Sequence, residues 1–206
     1  MAVLVPVKGF HTAKGRLASA VSPDQRVRLA RWMADGVVRS LDGIDVFVAC
    51  DDDAVSAWAT DLGAHVVWGP GLGLNGAVDD GVEQIAADGY DHVTIAHSDL
   101  PRPDQLRHVA RPDTVTLVPD RRRDGTNVMA FPLGRRVRAS YGAQSFRRHE
   151  TAARSHGDIA VEIRVDPDLS LDLDTPSDLT HPLIRPLIEE VLPTWLQTNP
   201  VNRPTR

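Results

Sequence analysis

The sequence predicts an α/β fold built on a Rossmann-like sheet that is mixed but mostly parallel. Short runs of β-branched residues alternate with stretches of helical periodicity along the 206-residue chain, as in βαβ units. The hydrophobic content of 42% and the charged content of 25% are those of an ordinary globular protein. We expect one domain over residues 1–180, followed by a proline-containing C-terminal tail over 181–206.

Charge and cysteine content restrict the partners and the compartment. The net charge of −5 argues against a nucleic-acid-binding surface, although it leaves room for a local basic pocket. The single cysteine, Cys50, cannot form an internal disulfide, which indicates a reducing compartment. No apolar run has the length of a membrane span, and the first strand-like run lacks the charged region of a signal peptide. We therefore expect a cytoplasmic protein that binds neither nucleic acid nor membrane.

Eight strands are predicted from the short apolar runs, at about 2–7, 45–50, 64–68, 92–97, 114–118, 127–131, 159–165 and 169–173. The first helix should begin after Ser22, with Pro23 as its first residue and Gln25 as the returning arm of a capping box. Further helices are expected at about 53–62, from 75 onward, at 103–110 and from 145 to 157. In the tail, residues 187–192 suggest a short docked helix, and the last ten residues are expected to be disordered.

Three aspartates are candidate metal ligands. Asp99 follows the fourth predicted strand, and Asp172 and Asp174 alternate with leucines, so a strand would point both carboxylates to one face. Carboxylates at strand ends can gather a hard cation such as Mg²⁺. Each aspartate could instead be a turn or capping residue, but their occurrence together with a basic loop predicts a metal site. Asp178, a little further along, is expected on the surface.

The basic loop spans residues 8–17, directly after the first predicted strand. Ligands of open α/β sheets bind outside the carboxyl ends of the strands, so this loop lies where a ligand would be held. Lys8, Lys14 and Arg16 can meet a triphosphate, although the loop is not a Walker A motif and could be a solvated turn. Acidic cluster and basic loop together indicate phosphoryl or nucleotidyl transfer, with Lys14, Arg16 and Asp99 as candidate catalytic residues.

A glycine-rich segment at 69–76 follows the third predicted strand. It could form a wall around a nucleoside through Gly73, Leu74 and Asn75, with Asn75 also capping the next helix. A flexible surface connector is the alternative.

Two segments could bind a small anion. Thr126 and Asn127 would present a hydroxyl and an amide to an anionic substrate, unless their arginine-rich loop is simply a charged hairpin. Ser145 opens a helix whose N-terminal amides would form an anion site, with an ordinary serine cap as the alternative. His149 could be a functional base, but a histidine on a helix surface is the commoner case.

Eight short motifs, taken together and in order, resemble those of a known family. They are VPVK at 5–8, AKGRL at 13–17, GLN at 73–75, SDLP at 98–101, PD at 119–120, GTN at 125–127, SFRRH at 145–149 and DLDTPSDL at 172–179. Over residues 2–180 the chain resembles the 2-phospho-L-lactate or phosphoenolpyruvate guanylyltransferases of coenzyme F-420 biosynthesis. The resemblance implies a nucleotidyltransferase fold of the glycosyltransferase-A type, with GTP and Mg²⁺ used and pyrophosphate released.

The resemblance also implies roles for individual residues. In that family the aspartates that match Asp99, Asp172 and Asp174 hold metal. The phosphorylated three-carbon acid is held by the residues that match Lys14, Thr126, Gly142 and Ser145. The product would be unstable and would pass to the next enzyme of the pathway.

Two departures from the family pattern lie on the acid-binding side. Asp124 stands before Gly125, where a second glycine is common, and Tyr141-Gly142-Ala143-Gln144 replaces an approach of the Phe-Gly-Pro type. The sequence does not choose among phosphoenolpyruvate, 2-phospholactate and 3-phosphoglycerate, and it leaves the oligomeric state open. The alternatives are a nucleotidyltransferase acting on a sugar or polyol phosphate, since fold does not fix substrate, and a non-catalytic nucleotide-binding regulator.

Overall fold

A computed structural model describes residues 1–193 and residue 195. Its strands are β1 (Ala2–Pro6), β2 (Asp45–Cys50), β3 (His65–Trp68), β4 (His92–Ala96), β5 (Thr114–Pro119), β6 (Thr126–Pro132) and β7 (Ala160–Ile163). Its α-helices are α1 (Pro23–Arg39), α2 (Asp53–Asp61), α3 (Gly73–Ala87), α4 (Ser145–Arg154) and α5 (Arg185–Val191). None of the helices in this part of the chain is long and apolar enough to cross a membrane.

The seven strands form one sheet in the order β3-β2-β1-β4-β6-β5-β7. Strand β6 is antiparallel to both β4 and β5, and the other neighbouring pairs are parallel. Helices α1 and α2 cover one face of the sheet, and α3 and α4 cover the other. The predicted mixed, mostly parallel α/β fold is therefore confirmed.

Helix α1 begins as its sequence predicts. The Ser22 hydroxyl accepts a hydrogen bond from the backbone N–H of Gln25, and the Gln25 side chain accepts one from the backbone of Ser22. Pro23 occupies the first turn, where a missing N–H costs nothing. The buried positions of the helix recur at helical spacing and face the sheet or the C-terminal segment: Leu29, Ala30, Met33, Ala34, Val37 and Val38.

The C-terminal segment packs against α1. Leu171, Leu173 and Ile188 lie in one apolar cluster with Leu29 and Met33. The short docked helix expected in the tail is present as α5. The disorder expected over residues 197–206 lies outside the described residues.

The strand predicted at 169–173 is wrong. The Asp166 carboxylate accepts the backbone N–H groups of Asp168 and Leu169, and the Ser170 N–H bonds to the Asp166 carbonyl, so the chain turns here. The alternation of side chains persists nevertheless, because Leu171 and Leu173 are buried in the cluster with α1. The period-two pattern thus arises from the burial of Leu171 and Leu173 and not from a paired strand.

Two predicted helices also differ. The segment 103–110 contains only a 3₁₀ turn, Leu106–His108, because Pro101, Pro103 and Pro112 leave room for little more. Helix α3 begins at Gly73, so Asn75 lies inside the helix and does not cap it.

Two helical glycines should respond in opposite ways to alanine. A Cβ at Gly81 in α3 would lie 2.7 Å from a methyl carbon of Leu4 in β1, whereas one at Gly36 in α1 would find its nearest neighbour, Pro103, at 3.9 Å. We expect Gly81→Ala to lower the free energy of unfolding by about 1–3 kcal/mol through overpacking. Gly36→Ala should raise it by about 0.4–1 kcal/mol. Urea denaturation midpoints would measure both, and a stabilising Gly81→Ala would contradict the packing of α3 on β1.

Candidate active site

A cavity of about 460 Å³ opens at the carboxyl ends of β1, β2 and β4. Strand order reverses between β1 and β4, and the crevice at such a reversal is where open α/β sheets bind ligands. Lys8 lies on the β1 side of the cavity, Gly73 and Leu74 lie at the start of α3, and His97 and Asp99 follow β4. The structure therefore brings the basic loop, the glycine-rich segment and Asp99 to one crevice.

The Lys14 ammonium lies between two of the predicted metal-binding carboxylates. Its Nζ is 2.7 Å from Asp99 Oδ2 and 3.0 Å from Asp174 Oδ1, and the side chain is only 6% exposed. Burial alone would lower the pKa of Lys14, but Asp99 and Asp174 outweigh it and raise that pKa. Burial alone would raise the pKa of Asp99, yet Lys14 and His97 hold it below its usual value. The charged forms of Lys14 and Asp99 therefore stabilise each other.

The backbone at Lys14 is strained to make this contact. Lys14 has φ of 57°, in the left-handed region, where it precedes the 3₁₀ turn Gly15–Leu17. Such a conformation is uncommon for a residue with a Cβ and tends to occur at functional sites. The two ion pairs offer a physical reason for the strain at this position.

Asp172 lies beside the pair and carries surplus negative charge. Burial, together with the charges of Asp99, Asp174, Asp178 and Asp120, raises the pKa of Asp172 to about 6. Among residues 1–193 and 195, no positive charge offsets this as Lys14 does for Asp99.

The carboxylates of Asp99, Asp172 and Asp174 suit a hard cation, although two of them, Asp99 and Asp174, bind the Lys14 ammonium. Across residues 1–193 and 195, no group of three or more His, Cys, Asp or Glu side chains lies close enough together to hold a metal ion. The oxygen donors of Asp99, Asp172 and Asp174 are nevertheless the type that Mg²⁺ prefers, and the raised pKa of Asp172 indicates a local excess of negative charge. The residues thus fit Mg²⁺ by chemistry, and its binding to all three would require Lys14 to release a carboxylate.

Asp178 is buried, contrary to the expectation that it lies on the surface. Its side chain is 6% exposed, and one of its oxygens lies 2.6 Å from an Arg121 guanidinium nitrogen. Its other oxygen accepts hydrogen bonds from the backbone N–H groups of Asp174 and Thr175 and from the Thr175 hydroxyl. Asp178 therefore holds the Asp174 loop against the loop between β5 and β6. Asp178 lies three residues after Thr175, a spacing at which an aspartate carboxylate often accepts hydrogen bonds from nearby backbone N–H groups. This turn signal in the sequence could have revealed the role of Asp178.

The remaining nucleotide-side candidates differ in their exposure. Lys8 is exposed at the cavity wall, and Arg16 is 79% exposed, with a guanidinium nitrogen 3.8 Å from Asp174. The Asn75 side chain faces the segment before α4, since its Oδ1 accepts the Tyr141 N–H at 2.6 Å and its Nδ2 donates to the Tyr141 carbonyl at 3.3 Å. Asn75 thus ties the start of α3 to the segment before α4.

Thr126 and Asn127, the first two residues of β6 and candidates for binding the acid, are buried. The Asn127 side chain donates to the Leu169 carbonyl at 2.9 Å and so supports the segment that carries Asp172. Thr126 is 2% exposed, and its hydroxyl lies 2.9 Å from His149 Nδ1. His149 is fully buried, so it is not a surface histidine, and burial together with nearby positive charge lowers its pKa to about 4. Its spacing of four residues from Ser145 places both on one helix face, the signal that could have predicted its burial.

The amides at the start of α4 already have acceptors within the protein. The Ser145 N–H bonds to the Gly142 carbonyl, and the Phe146 N–H bonds to the Asp124 carbonyl. Two of the amides expected to bind an anion are therefore already paired, and the anion site stays a prediction that involves the Ser145 hydroxyl and Gly142. The Gln144 N–H donates to Asp124 Oδ1 at 3.1 Å, so the two departures from the family pattern contact each other.

Comparison with known proteins identifies similar chains. The model of the family described as "Guanylyl transferase CofC like" matches residues 1–186. A phosphoenolpyruvate guanylyltransferase from Sphaerobacter thermophilus is 36% identical over 185 residues, which cover 85% of this chain and 89% of that protein. A 2-phospho-L-lactate guanylyltransferase from Methanocaldococcus fervens is 26% identical over 184 residues, with 87% and 83% covered.

A solved structure shows the same fold. The putative nucleotide-diphospho-sugar transferase from Desulfovibrio desulfuricans G20 superposes with a TM-score of 0.69 at 17% identity, covering 95% of this chain and 99% of that one. The likeness confirms the nucleotidyltransferase type of α/β fold.

Removing the charge of Asp172 should stabilise the metal-free protein. Because the pKa of Asp172 is raised in the fold, its ionised form destabilises the native state above about pH 6, and this cost disappears as the pH falls below the unfolded value near 4. We expect Asp172→Asn to gain about 1–2 kcal/mol at pH 8 with EDTA present, a figure reduced for partial exposure, and about half as much at pH 5. Urea denaturation at both pH values measures this.

The matched control is Asp61→Asn, at the exposed end of α2. It should change the free energy of unfolding by less than about 0.5 kcal/mol at either pH. A destabilising Asp172→Asn at pH 8 would contradict the surplus of negative charge.

Proposed function

Since the chain belongs to the CofC-like family of guanylyl transferases, we propose that it transfers GMP from GTP to a phosphorylated three-carbon acid and releases pyrophosphate. A phosphate oxygen of the acid would form a bond to the α-phosphorus of GTP as the bond from that phosphorus to pyrophosphate breaks. The observation that carries the proposal is the Lys14 ammonium joined to Asp99 and Asp174 in the crevice of the sheet. Such a cluster provides the positioning and charge stabilisation that nucleotidyl transfer needs.

The cavity would take the nucleotide. Its volume of about 460 Å³ lies in the range of small-molecule sites. Gly73 and Leu74 border it and would face the nucleoside, while Lys8 and the exposed Arg16 would meet the triphosphate. Lys14, from the same basic loop, would lie where nucleotide and acid meet.

The acid would lie on the other side of Lys14, near Thr126, Gly142 and Ser145. Two hydroxyls and a glycine that permits close approach suit a small anion with a phosphate and a carboxylate. Phosphoenolpyruvate is our first choice, because the relative that is 36% identical carries that name, and 2-phospho-L-lactate is the second. A place in coenzyme F-420 biosynthesis and a cytoplasmic location are parts of this proposal, the latter supported by the free, buried Cys50.

Asp99, Asp172 and Asp174 would hold Mg²⁺ in the working enzyme. When bound, the ion would neutralise part of the triphosphate charge and the charge that develops on pyrophosphate. Relief of the repulsion around Asp172 favours its binding.

Pyrophosphate release from purified protein tests the proposal. With Mg²⁺ and phosphoenolpyruvate or 2-phospho-L-lactate, GTP should be used in preference to ATP, CTP and UTP, because a site that hydrogen-bonds guanine leaves its polar groups unpaired when another base binds.

Asp99→Asn should reduce turnover at least about 100-fold, since it removes both a partner of Lys14 and a proposed cation ligand. Asp61→Asn, far from the crevice, is the control.

The outcomes separate the candidate functions. A preference for CTP with a sugar or polyol phosphate would favour the alternative transferase. Binding of GTP without turnover of any acid, 3-phosphoglycerate included, would favour a non-catalytic regulator. Near-normal turnover by Asp99→Asn would rule out its role.

Ser145→Ala should separate the two ends of the crevice. If its hydroxyl binds the acid's phosphate or carboxylate, the loss of about 1–3 kcal/mol raises the KM for the acid roughly five- to 150-fold. The KM for GTP should stay nearly unchanged, whereas Lys14→Ala should impair the use of both substrates. Steady-state titration of each substrate decides this, and a Ser145→Ala variant that weakens GTP and spares the acid would mean that the pocket is reversed.

A further inference from the structure

His149 makes two hydrogen bonds that fix its tautomer. Its Nε2 lies 2.9 Å from the backbone nitrogen of Ser140, which can only donate. Nε2 must therefore be the acceptor, and the ring proton of a neutral imidazole lies on Nδ1. Nδ1–H then points at the Thr126 hydroxyl oxygen, 2.9 Å away.

His149 cannot take up a second proton without breaking this arrangement. An imidazolium would place an N–H on Nε2 against the N–H of Ser140. The ring is fully buried and the Arg148 guanidinium lies nearby, and burial together with this positive charge lowers the pKa of His149 to about 4. The histidine thus stays neutral near physiological pH and is not a general base.

The fixed tautomer determines what the Thr126 hydroxyl can do. Its oxygen accepts the proton of His149 Nδ1, so its own hydrogen must point elsewhere. Among residues 1–193 and 195, no group accepts that hydrogen. A buried hydroxyl with a fixed, unused donor is suited to an anionic ligand.

Aromatic rings connect this pair to the crevice. The Tyr141 ring packs against His149 on one side and His97 on the other, with centroids 4.9 Å apart in each case. His97 lines the 460 Å³ cavity, and its backbone N–H bonds to the carbonyl of Asn127, the neighbour of Thr126. The hydroxyl of Thr126 is therefore held within the wall between the cavity and α4.

We propose that His149 is a positioning residue that orients the Thr126 hydroxyl so that it donates its hydrogen to the carboxylate or phosphate of the acid substrate. The proposal rests on the proposed function, because it assumes that an acid binds beside Thr126. In this proposal a neutral His149 orients the Thr126 hydroxyl and does not itself contact the substrate.

Two isosteres of His149 separate its two hydrogen bonds. In His149→Asn, the amide nitrogen can replace Nδ1 and still donate to Thr126. In His149→Gln, the amide oxygen can replace Nε2 and still accept from Ser140, but the donor to Thr126 is lost. We expect the KM for the acid to rise about two- to twelvefold in His149→Gln relative to His149→Asn. The KM for GTP should differ less than about twofold between them.

Two controls distinguish positioning from damage to the fold. His92→Gln makes the same change at another buried histidine, at the start of β4, and should leave the KM for the acid unchanged. In a Thr126→Val background, His149→Gln and His149→Asn should give the same KM for the acid, because the hydroxyl that they would orient is absent.

The tautomer of His149 can be tested without any turnover assay. ¹⁵N–¹H correlation spectra of the histidine rings are recorded on the free protein, and the signal that is missing in His149→Gln is assigned to His149. A neutral ring that is protonated on Nδ1 at pH 7 is expected, and protonation on Nε2 overturns the proposal. Equal KM values for the acid in the two His149 variants also overturn it. A wild-type protein that turns over no acid overturns the proposed function, while the spectra still decide the hydrogen-bond arrangement.

Discussion

The buried ammonium of Lys14 joins three segments that lie far apart in the sequence. It bonds to Asp99 after β4 and to Asp174 beyond β7, while Lys14 itself follows β1. A buried ion pair of this kind is costly to break, because removal of one partner leaves an uncompensated charge. The strained backbone at Lys14 belongs to this arrangement, and the arrangement lies in the crevice where the strand order reverses. Two of the three aspartates that we propose as cation ligands, Asp99 and Asp174, are thus held together by the ammonium of Lys14.

Polar side chains around the crevice act mostly on the backbone. Asp178 holds the N–H groups of Asp174 and Thr175, and Asn127 holds the carbonyl of Leu169. Asn75 pairs with both backbone groups of Tyr141. These contacts place irregular loops with the accuracy that a site needs, because loop backbone has no ladder of its own to satisfy its polar groups. Asn75 and Asn127, which the sequence pattern assigns to ligand binding, therefore also support the backbone around the crevice.

The two departures from the family pattern, at Asp124 and at residues 141–144, contact each other. Asp124 supplies a carboxylate to the Gln144 N–H and a carbonyl to the Phe146 N–H, so it caps a helix that has no side-chain cap from its own N-cap residue. A glycine at 124 could supply the carbonyl but not the carboxylate. The two departures thus meet at the start of α4, where Asp124 caps the helix that Ser145 begins.

The sequence by itself determined the sheet, most of its strands and the order of the helices, because apolar periodicity and capping residues such as Ser22 are local properties. It also placed the basic loop and Asp99 at strand ends that must share one edge. Tertiary structure decided what local pattern could not. The leucines at 171 and 173 alternate because one side packs on α1, not because a strand pairs there. The burial of Asp178 and the orientation of the Thr126 hydroxyl depend on partners at Arg121 and His149, more than twenty residues distant, and no local rule specifies contacts at that range.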